Sequence, residues 1–482
     1  MSPTSDTVAF MSDQAETDAV SPDSIASLPV YHIASYRTAS GSRPFGPLLS
    51  YAATLSCGPL WYLQNRDSSR EILAVGAIAT FRADSLVDFH RRYPWLMPSL
   101  RTHPAAEFLM LVGGTSFDGE APSSSWPGFS AVHFILPREL HLRRGAIVDV
   151  YQFGDYTGEH TLNSANRTGM IAMGTRETPT PAPLATSWVS SQPTFAEWAK
   201  TLDVALAAIE RGELDKVVLA RRAVASLSTA IHPALLLQRL LASPQPVAPY
   251  FFAPGCTLRQ TFLGATPELL FALTPGVDSP TEKSPHLDRP QPVAPSFTIL
   301  DSEALAGTLS RLPGMATQSG QLPNLTTGCE KERAEHQFVV TSILEKLRAI
   351  ATTIDAPQEP QTTTLHDLHH LITPIRAHLS TSPSPLDIIA RLHPTPAVGG
   401  TPPEAARSFI RDHESFERGW YAGTIGYITN ERSEFYVSLR SALLIEDELT
   451  AYVGAGIVKG STAAQEWREL DLKQQRLVAS VA

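Results

Sequence analysis

Cysteine is scarce in this chain. Cys57, Cys256 and Cys329 are the three among 482 residues, too few and too scattered for a disulfide framework or a zinc site. A reducing, cytoplasmic setting is therefore expected. No apolar run approaches the ~18 residues that a membrane span requires, so the expectation is a soluble protein with no membrane partner. No cluster of Lys and Arg forms a basic stripe, and a net charge of -10 disfavours nucleic acid as a partner. Residues 1 to 28 contain no Lys or Arg. They lack the basic and apolar regions of a signal peptide, and their Ser, Asp, Thr and Ala content reads as a disordered acidic tail.

What is present is apolar bulk. A hydrophobic content of 43%, a charged content of 18% and 39 prolines describe a loop-rich globular chain of enzyme size. Its length accommodates one large domain or two to three ordinary ones. Residues 29 to 190 form an amino-terminal part: short β-like runs broken by Pro and Gly, such as Glu71-Ile-Leu-Ala-Val-Gly-Ala-Ile-Ala, with polar residues scattered without pattern. A Pro- and Ser-rich bridge, Thr178 to Pro193, closes it. Residues 191 to 482 open on Phe195-Ala-Glu-Trp-Ala-Lys-Thr-Leu, whose apolar spacing is helical. Two stretches, 274 to 296 and 380 to 384, are rich in Pro or Ser and read as inserted loops. Gly423 to Thr429 with Glu434 to Leu444 reads as a hairpin around Asn430-Glu-Arg-Ser. Irregular alternation of strands and helices makes the class α+β rather than a doubly wound parallel fold.

Chemistry-bearing residues concentrate late in the chain. Gly454-Ala-Gly-Ile-Val-Lys-Gly is followed by Gln465-Glu-Trp-Arg-Glu-Leu-Asp-Leu-Lys. In a helix Glu466, Glu469 and Lys473 stand at i, i+3 and i+7 and line one face. The glycines read as a loop, and a strand running into a Gly-x-Gly loop resembles a dinucleotide turn, but no second parallel strand and acidic residue follow about 20 positions on. Taken alone, an ExxExxxK run fits a solvated helix. Glu335 alters that balance, because it lies at i-4 from Val339 on the apolar side of a helix through Ile343 and Leu347. A carboxylate there needs a cationic partner or a metal. With Glu466 and Glu469 it makes an all-oxygen set suited to Mg2+. His366, His369 and His370 offer a helical i, i+4 pair but no HExxH pattern, which favours a structural role. Lys216 opens a strand-like run, where a lysine either snorkels or, desolvated, becomes a general base. Glu268 follows a Gly/Pro turn inside an apolar run, so it is either paired or raised in pKa and able to act as a general acid.

Eight motifs in order carry a resemblance: Lys216-Val-Val-Leu-Ala-Arg, Phe262-Leu-Gly-Ala-Thr-Pro-Glu, Leu305-Ala-Gly-Thr, Lys331-Glu-Arg-Ala-Glu-His, Leu392-His-Pro-Thr-Pro-Ala-Val-Gly-Gly, Arg418-Gly-Trp-Tyr-Ala-Gly, Tyr436-Val-Ser-Leu-Arg and the terminal glycines with their Glu-Trp-Arg-Glu helix. Together they resemble the chorismate-utilising enzymes, and most closely the isochorismate synthases. The resemblance implies a single large α+β domain of two packed, mostly antiparallel sheets surrounded by helices, with the site in a deep cleft. It implies Mg2+ on Glu335 and Glu469, with Glu466 through water. It assigns Gly307, Thr308, His393, Tyr421, Arg440, Lys473 and the backbone N–H groups of Gly454 and Gly456 to binding of chorismate. Lys216 would deprotonate a water that attacks C2 of chorismate, and Glu268 would protonate the departing C4 hydroxyl. That chemistry requires a desolvated lysine and a glutamate that keeps its proton. Ala397 resembles the plain synthases rather than the salicylate-forming branch, where Thr is usual. A binder without activity would need neither Lys216 nor Glu268. The family is often monomeric, and its product serves menaquinone or siderophore synthesis.

Overall fold

The computed structural model describes residues 21–37, 59–154, 186–227, 233–242, 246–255, 258–276, 297–310, 330–365 and 368–481. Every strand pairing among them is antiparallel, and the strands form two layers that share one member. The first layer runs Thr186–Gln192, Lys216–Leu227, Glu448–Val458, Ser441–Ile445, Gln260–Thr266, Ala248–Ala253, Leu60–Gln64, Arg70–Ala83, Val132–Arg144, Ile147–Phe153 and Val30–Arg37. The second runs Leu111–Thr115, Thr424–Ile428, Ser433–Val437, Leu269–Gly276, Phe297–Ser310 and Leu368–Leu379. Val132–Arg144 joins them. One of its edges pairs throughout with Arg70–Ala83, while the other is divided between Leu111–Thr115 and Ile147–Phe153. The expected α+β class with two packed antiparallel sheets is what the chain adopts.

Period-two alternation builds two cores on opposite faces of the first layer. Trp61, Leu63, Phe252 and Phe262 face the core between the sheets, whereas Leu60, Tyr62, Phe251 and Leu263 face the other way. The inter-sheet core is aromatic: Phe129 meets Trp420 edge-on at 5.3 Å and Phe252 at 5.8 Å. The outer core is closed by helix Pro233–Ala242, through Leu236, Leu237, Leu240 and Leu241, and by Leu477 of the carboxy-terminal helix Ala463–Val481. Each such side chain contributes about 1.5–3 kcal/mol by burial.

Helix Phe195–Glu210 starts at a capping box between Thr194 and Glu197 and buries Trp198, Leu202, Ala205 and Ala208. Helix Glu330–Arg348 buries His336, Val339, Val340, Ile343 and Leu347. It lies close against strand Phe297–Ser310 because Gly307, at φ +77°, interrupts the register there, and a Cβ would stand 2.7 Å from the Glu332 carbonyl.

Four sequence expectations need amendment. The acidic tail does not extend to residue 28: helix Pro22–Ala26 is capped by Ser21, and Ile25 and Leu28 are buried in the main core. The two apolar side chains anchor it. Residues 1–20, the bulk of the 274–296 loop and all three cysteines lie outside the described residues, but Thr274 to Gly276 continue a strand paired with Phe297–Ser310. The hairpin's second strand ends at Val437, and Ser441–Ile445 belongs to the other layer. His369 and His370 stand on strand Leu368–Leu379 rather than a helix, so the i, i+4 geometry does not arise; His366 lies outside the described residues.

Candidate active site

Lys216 is the first residue of strand Lys216–Leu227 and is fully buried. The outer edge of that strand is paired at Lys216 and Val217 with Gly400–Thr401, and from Arg222 onward with Thr186–Gln192. Between those stretches the backbone would be orphaned. A loop and two side chains fill the gap: Val218 N–H donates to Gly399 O (2.8 Å), Ala220 N–H to Glu414 Oε1 (2.8 Å), and Arg418 Nη2 to Val218 O (2.8 Å). Arg418 also donates to Val398 O (2.8 Å) and pairs with Glu414, both being buried. One guanidinium thus fastens the strand bearing Lys216 to the loop bearing His393 and Thr395. Arg418 stands in a quoted motif, yet its spacing carried no hint of this role.

Glu268 occupies the turn between strands Gln260–Thr266 and Leu269–Gly276 and is 2% exposed. Burial raises its carboxyl pKa to about 8, and the neighbouring Glu303 carboxylate adds to the rise. A 3.3 Å hydrogen bond donated by Thr395 and the charge of Lys216 act the other way. At neutral pH Glu268 therefore keeps its proton, as a general acid must.

The three carboxylates expected at the metal are each paired with a lysine. Lys216 Nζ lies 3.1 Å from Glu335 Oε1, Lys331 Nζ bonds Glu466 Oε1, and Lys473 Nζ is 2.7 Å from Glu469 Oε1. Among the described residues no three His, Cys, Asp or Glu side chains stand as a group able to hold a metal ion. Lys331 nonetheless senses all three: burial disfavours its charge, but Glu466, Glu335 and Glu469 outweigh that and raise its pKa. Glu466 is 2% exposed, and burial pushes its carboxyl up against the pull of Lys331. Lys331 belongs to a motif quoted above but had been given no function.

The terminal glycines are not a loop. Strand Glu448–Val458 runs through both, with Gly454 opposite Ala220 and Gly456 opposite Val218. Their lack of side chains has a spatial reason. A Cβ on Gly454 would stand 2.6 Å from the Tyr421 hydroxyl, and one on Gly456 would stand 2.2 Å from Glu335 Oε1 and 3.0 Å from Lys216 Cε. Lys473 donates to Gly454 O at 2.8 Å. Tyr421 is buried, stacks on Tyr452 at 5.3 Å and has its hydroxyl pKa raised by burial.

Arg440 adopts φ 47°, a left-handed conformation uncommon outside glycine and frequent at functional sites. Its Nη2 stands 3.5 Å from His370 Nε2, and His370 Nδ1 lies 3.3 Å from the Thr308 hydroxyl. His370 therefore sits between two of the expected substrate-binding residues. His393 Nε2–H donates to Ala422 O (2.8 Å), and burial lowers its pKa to about 4, so the ring is neutral at pH 7.

The "Chorismate binding enzyme" family model matches residues 33–276 and 296–482. Isochorismate synthase MenF of Haemophilus influenzae is 30% identical over 446 residues, covering 90% of this chain and 89% of the relative. The Escherichia coli MenF is 32% identical over 434 residues, 88% of each. The solved structure of MenF, the menaquinone-specific isochorismate synthase from Escherichia coli, superposes with TM-score 0.73 at 29% identity, covering 94% of this chain and 95% of that one. Anthranilate synthase component I from Streptococcus pneumoniae shares the fold at TM-score 0.63 and 18% identity, covering 85% of this chain and 92% of that one. On the strength of the site and these matches, the chain belongs to the chorismate binding enzyme family.

Proposed function

We propose that this chain converts chorismate to isochorismate, with Lys216 as the base and Glu268 as the acid. The observation that supports these roles most directly is the coexistence, in electrostatic contact, of a fully buried lysine and a buried carboxyl that retains its proton. Water would lose a proton to Lys216 as it bonds to C2. Both ring double bonds would then shift by one position, and the C4–O bond would break as Glu268 passes its proton to the departing hydroxyl. One water enters and one leaves, so the reaction is an isomerisation. Arg440, Tyr421, Lys473 and the Gly454 and Gly456 strand would orient the substrate's carboxylates, and His393, Gly307 and Thr308 would complete the pocket.

Glu335, Glu466 and Glu469 are hard oxygen donors of the kind Mg2+ takes, and all three act on the Lys331 ammonium. When bound, the ion would be held by Glu335, Glu469 and, through water, Glu466, and would stabilise charge on the ring carboxylate.

Turnover in 18O-labelled water with mass spectrometry tests the water step. Label in the new ring hydroxyl supports it, and an unlabelled product sinks it. Release of isochorismate without salicylate and pyruvate is expected from Ala397. Lys216→Ala should lower kcat by at least about 10²-fold; full turnover would remove the assigned base. Neither the destination of the product nor its pathway enters this chemistry.

A further inference from the structure

We infer that Arg66 and Glu303 form a positioning pair for Glu268, fixing the backbone on both sides of it and holding a negative charge against its carboxyl. The inference rests on Glu268 being the proton donor. Arg66 lies in the turn that follows strand Leu60–Gln64, in the amino-terminal third of the chain. Its guanidinium grips Glu303 through both nitrogens, Nη1 to Oε1 at 2.5 Å and Nη2 to Oε2 at 2.6 Å. The same Nη1 donates to the Pro267 carbonyl at 2.8 Å, and Glu303 Oε1 accepts the Leu269 N–H at 3.1 Å. The peptide groups immediately before and after Glu268 are thus held by one bidentate ion pair, the geometry in which Arg is most directional.

The electrostatics give the pair a second consequence. Glu303 is 7% exposed, and it raises the proton affinity of Glu268. Two carboxyls in one desolvated site cannot both ionise cheaply. Burial raises the pKa of Glu303 too, and Arg66 opposes that rise; because Arg66 grips both Glu303 oxygens, Glu303 is the carboxyl of the two that the pair favours as the charged one. The other groups facing Glu268 are Lys216 from strand Lys216–Leu227 and the uncharged Thr395 hydroxyl. On strand Ser433–Val437, Val437 N–H donates to the Glu268 carbonyl, and Tyr436, opposite Leu269, donates its hydroxyl to Glu434. Burying an Arg–Glu pair here contributes little to stability on its own account; its placement around the acid is what it supplies.

Glu303→Gln separates the two effects, since an amide oxygen can still accept from Leu269 N–H while the charge is gone. The alkaline limb of kcat/KM against pH should move to lower pH by about one unit, with KM for chorismate little changed. A limb that stays in place, or moves upward, overturns the electrostatic part. Arg66→Met should lower kcat about 10–100-fold with KM within about twofold, and Arg66→Lys should recover part of the loss. Wild-type kcat in Arg66→Met overturns the positioning part. If Glu303→Gln fails to fold, Arg66→Gln/Glu303→Gln, a neutral hydrogen-bonding pair, carries the same pH measurement. Glu268→Gln distinguishes the underlying reading: full turnover there removes the proton donor itself, whereas an inactive Glu268→Gln with an unmoved Glu303→Gln limb removes only this inference. The infrared carboxyl band lost in Glu268→Gln gives a readout independent of turnover, and its titration should shift to lower pH in Glu303→Gln.

Discussion

Removal of Lys331 should tighten binding of Mg2+, although it deletes a residue of the site. The Lys331 ammonium pairs with Glu466, which is 2% exposed, and feels Glu335 and Glu469 as well. It stands where the three carboxylates call for positive charge. Breaking a buried ion pair by deleting one partner costs about 3–5 kcal/mol. Here the Lys331 side chain is 28% exposed and Ser461 also hydrogen-bonds Glu466, so about 2 kcal/mol is a fairer figure once solvent screening is counted. Lys331→Met should destabilise the metal-free protein by that amount, and Mg2+ should restore it. At 1.4 kcal/mol per tenfold, the difference corresponds to about thirtyfold tighter Mg2+. Titration calorimetry with Mg2+ alone measures the affinity, and thermal melts with and without the ion measure the linked stability. Affinity unchanged or weakened in Lys331→Met would refute the idea that this ammonium and the metal compete for one place.

Three further outcomes follow from the same geometry. Glu268 has a folded-state pKa of about 8 against an ordinary 4.5, so the unfolded chain releases its proton first. Stability from this group is complete below about pH 4.5 and is lost as pH rises to about 8, at a slope of up to about 1.4 kcal/mol per unit; Glu268→Gln should remove that slope in urea unfolding across the window, and an unchanged slope would show that the carboxyl ionises normally. Arg418→Met would leave Glu414 charged and buried and strip donors from Val218 O and Val398 O, lowering stability by about 4 kcal/mol; a loss under about 1 kcal/mol in denaturant titration would show that the Arg418 bridge is dispensable. Gly456→Ala would push its methyl against the Glu335 carboxylate and Lys216 Cε. The Glu335 carboxylate must shift, and Lys216 is fully buried, so stability should fall by about 1–3 kcal/mol, while kcat falls about 10²-fold because base and carboxylate are displaced together; kcat at the wild-type level would show that their placement tolerates that shift.

How far the sequence could be read depended on whether a residue's partner was near in the chain or carried a periodic signature. Helix Glu330–Arg348 and the burial of its Val339 face were legible because 3.6-residue spacing is local. The carboxylate helix was legible for the same reason, and the resemblance then tied it to Glu335. Local chemistry misread the glycines: Gly-x-Gly commonly marks a turn, but here strand Glu448–Val458 continues through Gly454 and Gly456, because Tyr421, Glu335 and Lys216 fill the space that side chains would take. The histidines were misread through the wrong period, since His369 and His370 alternate along a strand.

What no spacing could show is contact across the sheet. Arg66 and Glu303 are 237 positions apart, and Arg66 sits in a third of the chain whose polar residues have no pattern. They meet because Leu60–Gln64 pairs with Ala248–Ala253, which pairs with Gln260–Thr266, the strand that runs directly into Glu268. Two successive antiparallel pairings set the Arg66 turn beside the Pro267 turn. The amino-terminal third therefore supplies the acid's support as well as core, although the motif residues all lie beyond it. A site assembled at a strand end takes its backbone from one element and its restraint from the turns of neighbouring elements. Those turns share no sequence signature with the residue they restrain, so Arg66 reads from sequence as one surface arginine among many, and only the order of strands in the sheet gives it a place in the chemistry.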